Sequence, residues 1–227
     1  MQDIERFLVG FRQFQQRLFG VEHDLFDDIK LGQHPQALVI ACSDSRVDPA
    51  ILTDSHLGDM FVVRNVANLV PPCEQSEANQ GVSAAIQFAV CQLKVKQIIV
   101  LGHAHCGGIN ALMRGRGDHA AKDDYLGKWV RIAEPARQQV KQVLTHKTLE
   151  EQCKACEMAA ILISLDNLMA FPFVAEAVRA GELSLHGWYF DLDAGALLGY
   201  DSLSGTFRPL VASLDKKAVT GHDVQGG

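Results

Sequence analysis

Three side chains in the 227-residue chain, Cys42, His103 and Cys106, have the types and spacing to hold a divalent metal. They belong to two motifs, Cys42-Ser43-Asp44-Ser45-Arg46 and Gly102-His103-Ala104-His105-Cys106-Gly107-Gly108. Two thiolates and one imidazole make a soft S₂N set suited to Zn²⁺. Three ligands leave one coordination position over, where a closed structural site would want a fourth Cys or His. The site is formally uncharged, so water on it should be less acidic than on a tris-histidine site, where its pKa is about 7. Asp44 is well placed either to accept a hydrogen bond from hydroxide on the metal or to take the fourth position itself. Arg46 can hold that carboxylate in a bidentate pair and so decide which happens.

Each motif follows an apolar run rich in β-branched residues, Ala37-Leu38-Val39-Ile40-Ala41 and Gln97-Ile98-Ile99-Val100-Leu101. Such runs read as buried strands, so both motifs reach the carboxyl edge of a parallel sheet, where crevices of open α/β sheets form. Asp48-Pro49 reads as an N-cap followed by the first residue of a short helix. Residues 60–67 read as a second strand, 83–93 as a helix with small residues on one face, 95–101 as the third strand and 182–190 as the fourth. Residues 196–200 and 206–210 read as short antiparallel finishing strands. Helical patterns cover 129–144, 149–168 and 173–180, and the polar, glycine-punctuated stretch 110–127 reads as a surface connection. The fold class is therefore α/β: a mostly parallel central β-sheet, about four parallel strands plus an antiparallel edge strand, flanked by helices. Ahead of it, Ile4, Phe7, Leu8, Phe11, Phe14 and Leu18 form one apolar stripe on a helix from about Asp3 to Leu18, and that stripe must be covered.

The length fits one domain, 1–227, with a helical arm over 1–30 and an aperiodic, loose tail at 215–227. Hydrophobic residues make up 48% and charged ones 21%, and a formal charge of −6 gives no footprint for nucleic acid. The substrate is then neutral, or an anion met by a local positive group. The opening residues carry charges within their apolar pattern and lack a signal-peptide core, and no later stretch reaches the roughly 18 uncharged apolar residues of a membrane span. A cytoplasmic protein with reduced thiols is the expectation for its six cysteines.

The two motifs, in this order and each after a buried strand, resemble those of the β-class carbonic anhydrases. The likeness runs from Gln33 through Val47-Asp48-Pro49, Phe61-Val62-Val63-Arg64-Asn65 and Asn68-Leu69-Val70-Pro71-Pro72 to Leu185-His186-Gly187-Trp188. The resemblance implies one Zn²⁺ per chain on Cys42, His103 and Cys106, and reversible hydration of carbon dioxide to bicarbonate and a proton by zinc-bound hydroxide. It assigns Asp44 and Arg46 to catalysis, Phe61, Val66 and Phe88 to apolar pocket walls, Gln33 to a hydrogen bond with a substrate oxygen, and Gly107 to a backbone amide beside the last ligand. It also implies a homodimer or dimer of dimers, an N-terminal helix exchanged between subunits, and a pocket completed by the partner chain.

Some positions depart from the family's patterns. Phe88 stands where several plant-like members have tyrosine. Val39 replaces the tryptophan of the bicarbonate-gated bacterial subclass, which favours the plant-like, non-gated subclass. His105 is expected to point away from the metal, because neighbouring positions at a strand end face opposite sides. Cys153 and Cys156 lie in a helical pattern and read as packing and exposed thiol, Cys73 and Cys91 as packing, and His186 as a structural strand residue. His23, His34, His56, His119, His146 and His222 read as surface residues, among which a proton shuttle to solvent could lie, and Arg64-Asn65 as an anion site or, more often for such a pair, a charged pair near an interface. Three rival readings share the zinc site: a hydrolase for carbonyl sulfide or carbon disulfide, a non-catalytic bicarbonate sensor with Asp44 on the metal, and a structural zinc module.

Overall fold

A computed structural model describes residues 2–21, 30–73, 80–118 and 121–214. The expected tail at 215–227 and His23, His119 and His222 lie outside the described residues. The apolar runs assemble into one six-stranded sheet of order β2-β1-β3-β4-β5-β6. Strands β1 (Ala37–Cys42), β2 (Met60–Asn65), β3 (Gln97–His103) and β4 (Ser184–Asp191) are parallel. Strands β5 (Ala196–Asp201) and β6 (Thr206–Val211) continue as an antiparallel meander, the two finishing strands expected.

Pairing of Ala41 with both Arg64 and Leu101 sets β1 between β2 and β3 with their carboxyl ends level. Along β1 the side chains alternate: Leu38 and Ile40 enter one core with Ile98, Val100 and Ile161, while Ala37, Val39 and Ala41 enter another with Ile99 and Leu101. Burial on both faces explains why the strands read as unbroken apolar runs.

The helices are α1 (Gln2–Gln16), α2 (Pro49–Thr53), α3 (Gln80–Gln87), α4 (Gly107–Met113), α5 (Tyr125–Val130), α6 (Glu134–Val143), α7 (Leu149–Met169) and α8 (Pro172–Arg179). Asp48 caps α2 by accepting from the amides of Ala50 and Ile51, with Pro49 in the first turn. Thr148 and Glu151 form a capping box on α7. That helix lies unusually close to β3 and β4: a Cβ on Gly102 would stand 2.7 Å from Ile161 Cδ1, and one on Gly187 2.9 Å from Ile161 Cγ2. Among the described residues no single helix is long and apolar enough to cross a membrane.

Three expectations need correction. Strand β2 stops at Asn65 because Ala67, in the turn Val66–Asn68, takes a left-handed φ of 65°, and the Asn65 side chain bonds both the amide and the carbonyl of Leu69. The surface connection expected over 110–127 is shorter at both ends: α4 runs to Met113, burying Leu112 and Met113, and α5 begins at Tyr125, with turns between them. The helix expected over 129–144 is divided, since Pro135 has no amide to continue the preceding turn and instead sits in the first turn of α6. On α1, Ile4, Phe7 and Phe11 are 67%, 75% and 60% exposed, while Leu18, in the turn beyond the helix, is buried.

Candidate metal centre

The fold brings the three ligand candidates together from two neighbouring strand ends. Cys42 is the last residue of β1, His103 the last of β3, and Cys106 the N-cap of α4. All three are buried, and one donor atom from each lies within 4.8 Å of the others. The sulfurs are 4.0 Å apart. Two sulfurs held at about 2.3 Å by a tetrahedral ion stand roughly 3.8 Å apart, so the pair is spaced for a shared metal. A disulfide, with its S–S length of roughly 2.05 Å, does not fit that spacing. The His103 Nδ1–H donates to the Ala104 carbonyl at 2.8 Å, which leaves the lone pair on Nε2. Among the described residues that Nε2 is the one buried side-chain polar atom without a hydrogen-bond partner. An unpaired acceptor buried beside two thiols is what a zinc ligand presents before the ion arrives.

Charge in the cluster points the same way. The bond between the two thiols pulls Cys42 down against its burial and, together with burial, pushes Cys106 up. Burial disfavours a charged His103, but the charge of the neighbouring Cys42 and the bond to the Ala104 carbonyl help to raise the imidazole. Cys106 and His103 hold the protons that a bound cation would displace.

Asp44 sits at the mouth of this cluster with both carboxylate oxygens turned to Arg46. Arg46 donates from Nε to Oδ1 at 2.9 Å, from Nη2 to Oδ2 at 2.7 Å and from its backbone amide to Oδ1 at 3.0 Å. Arg46 Nη2 also reaches the His105 carbonyl at 3.2 Å. These bonds hold Asp44 well below the usual carboxylate range. Arg64, on β2, fixes the same loop from outside: Nε to the Cys42 carbonyl at 3.0 Å, Nη2 to the Asp44 carbonyl at 2.7 Å, and Nη1 to the Asp48 carboxylate at 2.8 Å. Arg64 is therefore a brace for the ligand loop rather than a simple charged pair.

His105 does turn away, but strand alternation is not the reason. Strand β3 ends at His103; His105 has φ 57° in the following turn, and its ring donates to Asp193 at 2.8 Å, which pushes the imidazole up. Of the proposed substrate contacts, Gly107 follows Cys106 directly, and Val66 packs beside Gly108, where a Cβ would meet Val66 Cγ1 at 2.6 Å. Trp129 Nε1 steadies Val66 by donating to its carbonyl at 2.7 Å. Phe61 and Phe88 pack ring to ring at 5.7 Å, outside the apolar cluster that contains Cys42 and Cys106. Gln33 is exposed on the segment leading into β1. Within one chain, then, Gly107 adjoins the last ligand and Val66 packs against Gly108, while Phe61 and Phe88 form a ring pair and Gln33 is exposed.

Sequence reasoning missed Glu157, a buried carboxylate on α7 that accepts from the Cys106 amide and the Tyr189 hydroxyl. Its place is visible only in the structure, where Glu157 joins Cys153, Cys156, Ala160, Ile161, Ser164 and Leu168 on the buried face of α7. The thiol assignments also change. Cys153 and Cys156 are both buried, neither offering an exposed thiol, and Cys73 is exposed instead of packed. His186 bonds Gln97 within the sheet, as a structural residue would. His34, His56 and His146 are exposed.

Comparison with known proteins gives a concordant result. Residues 37–197 match the family model described as carbonic anhydrase. A carbonic anhydrase of Synechocystis sp. is 36% identical over 204 residues, 90% of this chain and 73% of that one. The structure of the β-carbonic anhydrase CcaA superposes with a TM-score of 0.85 at 36% identity, covering 91% of this chain and 99% of that one. One of two tetrameric β-carbonic anhydrases from Sordaria macrospora superposes with a TM-score of 0.68 at 26% identity, covering 94% and 96%.

Proposed function

This chain belongs to the β-class carbonic anhydrases, and from that premise we propose that it hydrates carbon dioxide reversibly to bicarbonate and a proton, using one zinc ion held by Cys42, His103 and Cys106. The unpaired, buried Nε2 of His103 beside two sulfurs 4.0 Å apart is the observation that carries this reading. Bound there, zinc supplies what the side chains lack, a water acidified enough to act as a nucleophile near neutral pH.

The chain's own residues take the remaining tasks. Asp44 orients the attacking water by accepting its hydrogen bond. Arg46 keeps the carboxylate from filling the open coordination position, since both oxygens are committed to the guanidinium. A bicarbonate sensor with Asp44 on the metal would need that pair broken. Phe61, Val66 and Phe88 supply apolar walls for a small apolar gas, Gln33 donates to its oxygen, and the Gly107 amide is available because the first amides of a helix have no partner within it.

We assign the assembly to a homodimer or a dimer of dimers. Val66 and Phe88 are 38% and 43% exposed on the single chain, as is much of the α1 stripe, and a second copy laid over both would enclose the pocket. Val39, packed between Val62 and Ile99 in the register, leaves no aromatic side chain at the position that marks the bicarbonate-gated subclass, and this supports a non-gated, plant-like enzyme.

The test is metal content and stopped-flow hydration of carbon dioxide on the purified chain, with Cys42→Ala alongside. One zinc per chain and turnover, both lost in the variant, are expected. A zinc-loaded chain that ignores carbon dioxide but hydrolyses carbonyl sulfide or carbon disulfide would overturn the substrate assignment.

A further inference from the structure

The carboxylate of Glu157 is buried, charged in chemistry and outside the roles given above. One oxygen accepts from the Cys106 amide at 3.0 Å and the other from the Tyr189 hydroxyl at 2.8 Å. Both contacts follow from the close approach of α7 to the sheet. Ile161 lies over Gly102 and Gly187, and Glu157, one turn nearer the helix N-terminus, thereby reaches the carboxyl edge of the strands. Tyr189 is two residues beyond Gly187 on β4 and shares its face, so its hydroxyl meets the same carboxylate.

A cap for α4 alone does not call for this arrangement. A neutral acceptor would satisfy the Cys106 amide, whereas a buried carboxylate carries a desolvation cost that only good partners offset. Here the carboxylate spans the gap between a rigid strand residue and the backbone of a metal ligand. Groups bonded one step behind a ligand fix its orientation, and their loss typically lowers metal affinity or activity about 10- to 100-fold.

We propose that Glu157 is a positioning residue for the metal centre: anchored by Tyr189, it holds Cys106 so that its thiol can share one ion with Cys42 and His103. This rests on the zinc reading above. Beyond the carboxylate lies a cavity of about 780 Å³ lined also by Asn110, Arg114 and Lys154. In Glu157→Ala, water from that cavity can satisfy the Cys106 amide, but water is not tethered to the sheet, so the hydrogen bond survives and the anchor does not.

The experiment compares the parent chain with Glu157→Gln, Glu157→Ala and Tyr189→Phe. It measures zinc affinity by chelator competition, the thiolate-to-metal absorption of the Co²⁺-substituted proteins, and carbon dioxide hydration. Expected are a 10- to 100-fold weaker zinc affinity in Glu157→Ala, a smaller loss in Tyr189→Phe, a shifted Co²⁺ band in both, and partial rescue in Glu157→Gln, which keeps an acceptor for the amide. If Glu157→Ala does not fold, Tyr189→Phe and Glu157→Gln carry the test. Zinc affinity within about twofold of the parent and an unchanged Co²⁺ band in the folded variants would overturn the proposal, whatever their thermal stability. A parent that binds zinc tightly but fails to hydrate carbon dioxide would refute the proposed reaction, while the affinity series would still decide the role of Glu157. A parent that binds no zinc would sink both.

Discussion

Replacing Gly102 by alanine should destabilise the protein by an amount that the structure allows to be worked out. The added Cβ would stand 2.7 Å from Ile161 Cδ1 and 2.9 Å from its Cγ1. Carbon atoms settle at about 3.5–4.0 Å, so the pair must separate by roughly 0.8 Å or more. Ile161 cannot swing aside cheaply, because its other branch is pressed over Gly187, where a Cβ would lie 2.9 Å away. Overpacking of this kind costs about 1–3 kcal/mol. The loss of backbone freedom in the unfolded chain returns about 0.4–1 kcal/mol, since Gly102 is not at a positive φ and alanine fits its backbone. A net loss of about 1.3 kcal/mol follows, or a fall in Tm of roughly 3–5 °C for a domain of this size. Urea or thermal unfolding at one fixed protein concentration measures it. Ile161→Val removes Cδ1 and should cost about 0.5–1.5 kcal/mol alone, yet less in the Gly102→Ala background, a coupling of at least about 0.5 kcal/mol. Additive effects, or an unchanged Tm in Gly102→Ala, would refute the close-approach argument.

Asp44→Asn should keep zinc and lose most hydration activity, because an amide cannot accept from both guanidinium nitrogens; metal analysis and stopped-flow rates decide, and parent-like turnover would remove Asp44 from the mechanism. In the metal-free proteins, the stability margin of the parent over Asp44→Asn should be constant above about pH 5 and shrink as pH falls through the ordinary carboxylate range toward the depressed folded value of Asp44, since a lowered pKa stabilises only while the group is ionised. Deleting residues 1–21 should yield a smaller species in sedimentation with little activity, because the proposed exchange covers the α1 stripe; an unchanged assembly would refute it. In thiol titration at about pH 8, near the ordinary thiol range, Cys73 should react fast and Cys156 should resist, as burial pushes it up to about 12; chelation should add Cys42, whose thiol is held low, while Cys106, buried and pushed up, should resist as Cys156 does.

The convergence of Cys42, His103 and Cys106 was legible because each motif ends an unbroken apolar run, and parallel strands buried on both faces leave few alternatives for where such runs stop. What the chain does after those ends was harder to read. Helix α4 opens on Gly107-Gly108, residues that signal a turn, yet Gly108 is required by packing: a Cβ there would stand 3.0 Å from the Ala67 side chain as well as against Val66. Ala67 in turn adopts a conformation that alanine rarely takes, which cut β2 short, and only tertiary packing specifies it. Glu157 was hidden for the opposite reason. A carboxylate on a helix ordinarily marks the solvated face, and nothing local shows that Gly102 and Gly187 let α7 sink until that position is core.

The charges around the cluster also bear on how a product anion would leave. With zinc bound, two thiolates and an imidazole make a formally neutral centre, so a neutral gas meets no electrostatic barrier. Two arginines stand close by, and either could trap bicarbonate. Arg46 is bonded through Nε and Nη2 to Asp44, and Arg64 is bonded through all three nitrogens to Cys42, Asp44 and Asp48. Each guanidinium thus spends its positive charge on a carboxylate and on loop carbonyls, holding the ligand loop in shape instead of offering an anion site. An anion competing for either would have to displace a bidentate or three-point contact already in place. On the proposed reading, the bonds that would keep Asp44 off the metal would also leave both guanidinium groups unavailable to bicarbonate.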